Sequence, residues 1–113
     1  MKVVHTEEVP AQPVTDEGAR EVTVRWLISR PEGAPNFAMR VFEMAPGGCT
    51  PQHEHAWEHE VYILAGETEV VGEAGATALA VGDAVLVLSG ERHQFRNAGR
   101  SPARMLCMIP LPE

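Results

Sequence analysis

Short runs of alternating apolar and polar residues dominate the chain, and turn-forming residues separate them. The run Glu-Val-Thr-Val-Arg-Trp-Leu-Ile at 21–28 alternates as a half-buried strand does. Further strands are predicted at 37–44, 61–65, 67–72, 77–81, 84–88, 93–97 and 104–109. Gly, Pro and Asp lie between the runs, with turns predicted at 45–48, 73–76 and 82–83. No segment sustains a helical apolar stripe over roughly 10–12 residues, so the pattern predicts an all-β sandwich or barrel.

Domain organisation follows from the length of 113 residues, which suits one domain with its own core. Residues 1–20 are rich in Pro and Glu, and we expect them to form an N-terminal arm that packs on the barrel or on a neighbour. Residues 21–113 are predicted to form a single barrel domain. No internal repeat or low-complexity tract divides this region.

Composition excludes some classes of function. Hydrophobic residues make up 44% of the chain and charged residues 22%, which is ordinary for a globular protein. The formal net charge of −7 argues against binding to nucleic acid or to an anionic membrane. No apolar run approaches the roughly 18 residues of a membrane helix, and the N-terminus lacks the apolar core of a signal peptide. A cytoplasmic protein with reduced cysteines is therefore expected.

Four histidines carry the strongest chemical signal in the chain. Three of the five histidines, His53, His55 and His59, fall within seven positions, and His93 follows later. Neutral imidazole binds Zn, Mn, Fe, Ni and Cu. Residues at i and i+2 of a strand share a face, and a small barrel can bring a distant fourth ligand to its mouth. The spacing predicts one metal site.

These positions resemble the two motifs of the cupin superfamily. The first motif is a glycine, H-x-H, a glutamate and a second glycine, and the matching residues here are Gly47, His53, His55, His59 and Gly66. The second motif is a glycine, P-x-G, a histidine and an asparagine, and the matching residues are Gly82, Leu88, Gly90, His93 and Asn97. The resemblance implies an all-β double-stranded β-helix, or jelly-roll, cupin barrel.

Two positions depart from the family pattern. Leu88 replaces the usual proline, which should matter little for chemistry. His59 stands where the family usually has glutamate, and Glu60 would restore that ligand if a longer spacing applied. The spacing to Gly66 and the strand parity shared with Val61 favour His59. The chain then resembles small single-domain bacterial cupins, of the cupin 2 conserved barrel type, with a four-histidine site.

The resemblance implies a cofactor and a class of function. We expect one divalent transition metal per chain, with Mn or Fe favoured over Cu, Ni or Zn. Four neutral imidazoles leave the +2 charge of such an ion uncompensated, which favours an anionic small-molecule substrate. The first hypothesis is a Mn- or Fe-dependent oxygenase of the dioxygenase type, acting on a small organic substrate with dioxygen. The alternatives are a non-redox metal-dependent isomerase or decarboxylase, and a cupin that binds a small ligand without turnover. Barrels of this family commonly pair, so a homodimer is also expected.

Other residues are candidates for the pocket or for contacts with the metal ligands. Arg40 lies within a predicted strand and faces either solvent or the cavity. Trp57 and Phe95 belong either to the core or to the pocket wall. Glu60 either accepts a hydrogen bond from a ligand histidine or faces solvent, and Cys107 is either a buried small residue or a thiol beside the metal.

Overall fold

The computed structural model describes residues 1–111, and within them nine strands form one curled sheet. The strands are β1 (Gln12–Pro13), β2 (Arg20–Ile28), β3 (Phe37–Cys49), β4 (His59–Ala65), β5 (Thr68–Gly72), β6 (Gly75–Leu79), β7 (Ala84–Val87), β8 (Gln94–Asn97) and β9 (Ala103–Pro110). Helical structure in residues 1–111 is limited to two one-turn 3-10 helices, Thr6–Glu8 and Arg30–Glu32. Neither has the length or hydrophobicity needed to cross a membrane. The prediction of an all-β barrel is confirmed.

Strand β3 is central to the sheet. The strand order is β6-β5-β8-β3-β9-β4-β7, all neighbours are antiparallel, and β2 pairs with β3 outside this path. The first eight residues of β3 pair with β9 over their whole length, whereas its last residue, Cys49, pairs with Arg96 of β8. Because one long strand bonds to three neighbours, it joins the two halves of the curled sheet and brings β8 and β9 around a common interior.

Two predicted turns differ in the structure. Strand β3 continues to Cys49, although a turn was predicted at 45–48. Gly48 allows this, since a Cβ there would lie 2.7 Å from the Glu21 carbonyl oxygen of the neighbouring strand. The turn predicted at 73–76 is shorter, because Gly72 pairs with Gly75 and only two residues remain between the strands. In both places glycine indicated a turn. The structure shows instead that its lack of a side chain lets two backbones pair closely.

The core lies on the concave side of the sheet. In β4, His59, Val61 and Ile63 are buried and the residues between them are exposed or partly exposed. Strand β9 alternates in the same way. The buried apolar residues that pack together include Ala38, Phe42, Met44, Val61, Ile63, Val87, Phe95, Ala103, Met105, Cys107 and Ile109. The inward row of β4 therefore begins with a histidine and continues into the apolar core.

The N-terminal segment packs on the barrel of its own chain. Strand β1 pairs with β2 through Gln12 and Pro13. The carboxylate of Glu7 lies 3.7 Å from Arg25 and 2.8 Å from Arg104, which belong to β2 and β9. These contacts hold the segment against the outer side of the sheet, whereas Asp16 lies at the cavity mouth.

Candidate metal centre

Three histidines from two distant segments meet at one end of the barrel. His53 and His55 lie between β3 and β4, and His93 comes directly before β8. Each offers a ring nitrogen, and these nitrogens all lie within 4.8 Å of one another. The i, i+2 pair does not lie on a regular strand as predicted. Instead, the His53 N–H donates to the His93 carbonyl at 3.1 Å, and the His93 N–H donates back at 3.0 Å.

His59 adds a fourth imidazole to this cluster. It is the first residue of β4, it faces inward, and it is 7% exposed. Its Nε2 lies 2.6 Å from the Nε2 of His55, and its ring centroid lies 4.8 Å from that of His93. The four rings therefore lie at the same end of the barrel. Within this group, the ligand atoms of His53, His55 and His93 all lie within 4.8 Å of one another. Glu60, the alternative ligand, is exposed on the opposite face of β4 and does not line the cavity.

Backbone hydrogen bonds at Nδ1 leave the Nε2 lone pairs of two rings available to a metal. His55 Nδ1 lies 2.8 Å from the Trp57 carbonyl, and His93 Nδ1 lies 2.8 Å from the Glu91 carbonyl. A carbonyl only accepts, so each Nδ1 carries the proton and each Nε2 keeps its lone pair. The Nε2 of His93 is buried and has no hydrogen-bond partner in the part of the chain that the structure describes. A buried nitrogen without a partner, beside two other imidazoles, fits a site built for a transition-metal ion.

The surroundings favour the neutral form of His53, His59 and His93. Burial and the neighbouring imidazoles lower the pKa of His59 from 6.5 to about 3. Burial is also the main cause that lowers the pKa of His53 and of His93. Neutral imidazole is the form that binds metal, so at neutral pH protons do not compete for these ligands.

A thiol and a guanidinium stand directly behind His59. The Sγ of Cys107 lies 3.3 Å from His59 Nδ1, and Arg40 Nη2 donates to the same sulfur at 3.0 Å. Burial raises the pKa of the Cys107 thiol. The sulfur therefore holds the His59 ring in place on one side and contacts a cation on the other.

A cavity of about 390 Å³ opens in front of the histidines. Among the residues that sequence analysis singled out, Arg40, Trp57, Phe95 and Cys107 line it together with the four histidines. The Trp57 ring stacks on the His55 ring at 4.6 Å between centroids and 4° between planes. Much of the remaining wall is apolar and includes Val24, Phe42, Val61, Met105 and Ile109. The histidines thus face a largely apolar space.

Two further lining residues were not identified from the sequence. Trp26 shares strand parity with the buried Val22 and Val24, a signal that would have placed it inward. Asp16 reaches the mouth from the N-terminal segment, and its charge partly opposes the lowering of the His53 pKa. No pattern in the sequence marks Asp16, because its position depends on how the segment packs.

Comparison with known proteins decides the family. Residues 40–109, which contain all four clustered histidines, match the cupin domain family. The chain belongs to this family. The assignment agrees with the resemblance seen in the two motifs, and it covers β3 to β9 of the barrel.

Three relatives of this cupin come from Streptomyces species, and the names of two of them refer to polyketides. The structure of the polyketide cyclase RemF from Streptomyces resistomycificus superposes with a TM-score of 0.93 at 38% identity, covering 99% of this chain and 80% of RemF. The tetracenomycin polyketide synthase protein TcmJ from Streptomyces glaucescens is 30% identical over 72% of this chain and 58% of its own length. Protein SchB from Streptomyces halstedii is 35% identical over 66% of this chain and 54% of its own. The matched region thus spans little more than half of TcmJ and SchB.

Proposed function

We propose that this cupin is a metal-dependent cyclase that closes a carbon–carbon bond within a poly-β-ketone chain. The observation that carries the proposal is the cluster of imidazoles at the base of an apolar cavity, in a chain that resembles the polyketide cyclase RemF over 99% of its length. The proposal develops the non-redox alternative that the sequence suggested. It assigns the metal to His53, His55, His59 and His93.

The donor set suits the chemistry of a cyclisation. A divalent ion on four neutral imidazoles would keep its full charge and act as a Lewis acid that polarises a ketone oxygen and acidifies the neighbouring C–H. Backbone carbonyls fix the rings of His55 and His93, and the ligand atoms of these two residues and His53 lie within 4.8 Å of one another. The identity of the ion stays a prediction, with Mn or Fe favoured.

The reaction balances without an oxidant. A carbon next to one ketone loses a proton and forms a bond to the carbon of a second ketone, whose oxygen takes up a proton. This bond closes the ring, and the new hydroxyl then leaves as one water with a proton from the neighbouring carbon, which introduces a double bond. We assign the proton transfer to Asp16, because it brings a carboxylate to the cavity mouth and its charge acts on His53.

The cavity walls would favour ring closure by holding the substrate chain in a folded conformation. Val24, Phe42, Val61, Met105 and Ile109 offer an apolar surface on which a flexible ketone chain folds back on itself. A volume of about 390 Å³ lies near the lower end for ligand pockets, so the reacting part of a chain fits and the remainder extends through the mouth.

An anaerobic turnover assay tests the proposal. Protein loaded separately with Zn, Mn and Fe is incubated with a synthetic tetraketide thioester, and products are identified by mass spectrometry. We expect a ring product that has lost one water, abolished by a chelator and by His93→Ala and retained in His5→Gln, whose ring is exposed at the far N-terminal segment. Absence of ring product with all three metals would contradict the cyclase. In a parallel aerobic incubation, oxygen uptake together with a product that has gained oxygen atoms would instead support the oxygenase hypothesis.

A further inference from the structure

Arg40 is a cation that faces the cavity, and within residues 1–111 it has no acidic partner. It lies on β3 between Trp26 of β2 and Cys107 of β9 in the strand register, and all three side chains line the cavity. The sequence left open whether Arg40 faces solvent or the cavity. The structure places it in the cavity.

Aromatic rings hold the guanidinium in place. Its central carbon lies 5.1 Å from the centroid of the Trp26 ring and 4.8 Å from that of Phe42. Such contacts are favourable for a cation and restrict the orientation of its N–H groups. The guanidinium therefore presents a preformed donor surface, which lowers the entropic cost of binding a ligand.

The donors of Arg40 are incompletely used. Among residues 1–111, ion pairs with carboxylates are made by Arg25, Arg96 and Arg104, and Arg40 forms none. Its Nη2 donates to the Cys107 sulfur, a weak acceptor, and its buried Nε has no partner. Leaving a partly buried cation without a carboxylate is costly, which indicates that an anionic ligand completes the site.

The position of Arg40 relates it to the histidines. Cys107 Sγ contacts both Arg40 Nη2 and His59 Nδ1, so the guanidinium and the metal cluster lie on two sides of one sulfur atom. The charge of Arg40 is felt at His53 and His59, where it contributes to lowering the pKa of each ring. A divalent ion on the histidines would add two further positive charges to the same cavity. The chain as a whole carries −7, so this positive region is local.

We propose that Arg40 forms an anion-binding subsite that holds a carboxylate or enolate oxygen of a planar organic substrate beside the metal cluster. A guanidinium matches the two oxygens of a carboxylate or of a 1,3-diketone enolate better than an ammonium does. The subsite rests on the proposed function, because it assumes that the cavity is the substrate site. It adds a substrate class, an aromatic or poly-ketone monoanion, and the residue that selects it.

Binding to metal-free protein tests the subsite without requiring turnover. Benzoate is titrated into chelator-treated protein by calorimetry, with benzamide as a neutral analogue of the same shape. We expect benzoate to bind at least about tenfold more tightly than benzamide, because charge-assisted hydrogen bonds are stronger than neutral ones. The Trp57→Phe background isolates the fluorescence of Trp26, which should change on benzoate binding because that ring contacts the guanidinium.

Matched variants decide the outcome. Arg40→Gln should weaken benzoate at least about tenfold and leave benzamide unchanged, and Arg40→Lys should give an intermediate loss. The control Arg96→Gln removes an arginine paired with Glu69 outside the cavity and should bind benzoate as the unmodified chain does. Equal benzoate affinity in Arg40→Lys and the unmodified chain, or in Arg40→Gln if its circular dichroism is native, would overturn the subsite. Arg40-dependent binding without any cyclisation would retain the subsite and refute the proposed cyclase.

Discussion

Acidification should destabilise the metal-free protein through His59. The pKa of this ring is lowered to about 3 in the folded protein, whereas in the unfolded chain it titrates near 6.5. Between these values the unfolded state binds a proton that the folded state does not. Stability is therefore fully present above about pH 6.5 and is lost as the pH falls toward about 3.

The size of this effect follows from the pKa shift. Within the window, each pH unit removes about 1.4 kcal/mol for one histidine that stays neutral in the fold. Between about pH 6.5 and 4.5, His59 alone should thus remove about 2–3 kcal/mol. The lowered pKa values of His53 and His93 contribute with the same sign. Since small domains are stable by about 5–15 kcal/mol, the loss should be readily measured.

Urea denaturation followed by far-ultraviolet circular dichroism provides the assay. The free energy of unfolding is measured for chelator-treated protein and for His59→Leu in steps from about pH 7.5 to 4.5. Carboxylates titrate in both proteins, so their contribution cancels in the difference between the two. Below about pH 6.5, the variant should show a shallower dependence by about 1.4 kcal/mol per pH unit. The control His5→Gln removes an exposed imidazole and should keep the full slope. Equal slopes in His59→Leu and the unmodified chain would refute the reasoning.

Three further predictions concern the ligands, the barrel and its assembly. His59→Ala should reduce the metal content measured by elemental analysis. Glu60→Ala should retain the metal, because the Glu60 side chain is exposed. Loss of metal only in the glutamate variant would show that His59 is not the ligand. Gly66→Ala should lower the free energy of unfolding by at least about 2 kcal/mol, because its φ is +80° and a Cβ would lie 2.6 Å from the Pro102 carbonyl oxygen. Gly47 has a φ of +83° but open space around a Cβ, so Gly47→Ala should lower the free energy of unfolding only by the backbone strain, about 1–2 kcal/mol. Equal losses of stability in the two variants would argue against a clash between residue 66 and the Pro102 carbonyl. The homodimer stays a prediction that light scattering checks, and a monomeric mass would contradict it.

Strand alternation made much of the fold predictable. In β4 the period of two places His59 on the inward row with Val61 and Ile63, and the burial of all three follows that parity. The same argument does not work for Arg40 in β3. Val41 beside it is also buried, so apolar residues occur on both faces and alternation does not reveal which face is inward.

Long-range packing explains what the sequence pattern missed at the site. The spacing of His53 and His55 suggested a strand, but a backbone bridge to His93 holds this segment instead. Asp16 reaches the cavity mouth because the N-terminal segment packs on its own barrel, and no local pattern encodes that path. The motif histidines were predictable because their chemistry is unusual, whereas neighbours recruited through tertiary contacts were not.

The backbone bridge between His53 and His93 also bears on how quickly a bound ion could be exchanged. Separating these two ligands requires the loss of the two mutual hydrogen bonds that join the segment before β4 to His93, while the ladders between β3, β9 and β4 stay intact. Such local openings cost less free energy than global unfolding. We therefore expect metal release to be limited by opening of this segment, and amide hydrogen exchange at His53 and His93 to be faster than in β9. A barrel that unfolds slowly can in this way still exchange its ion rapidly.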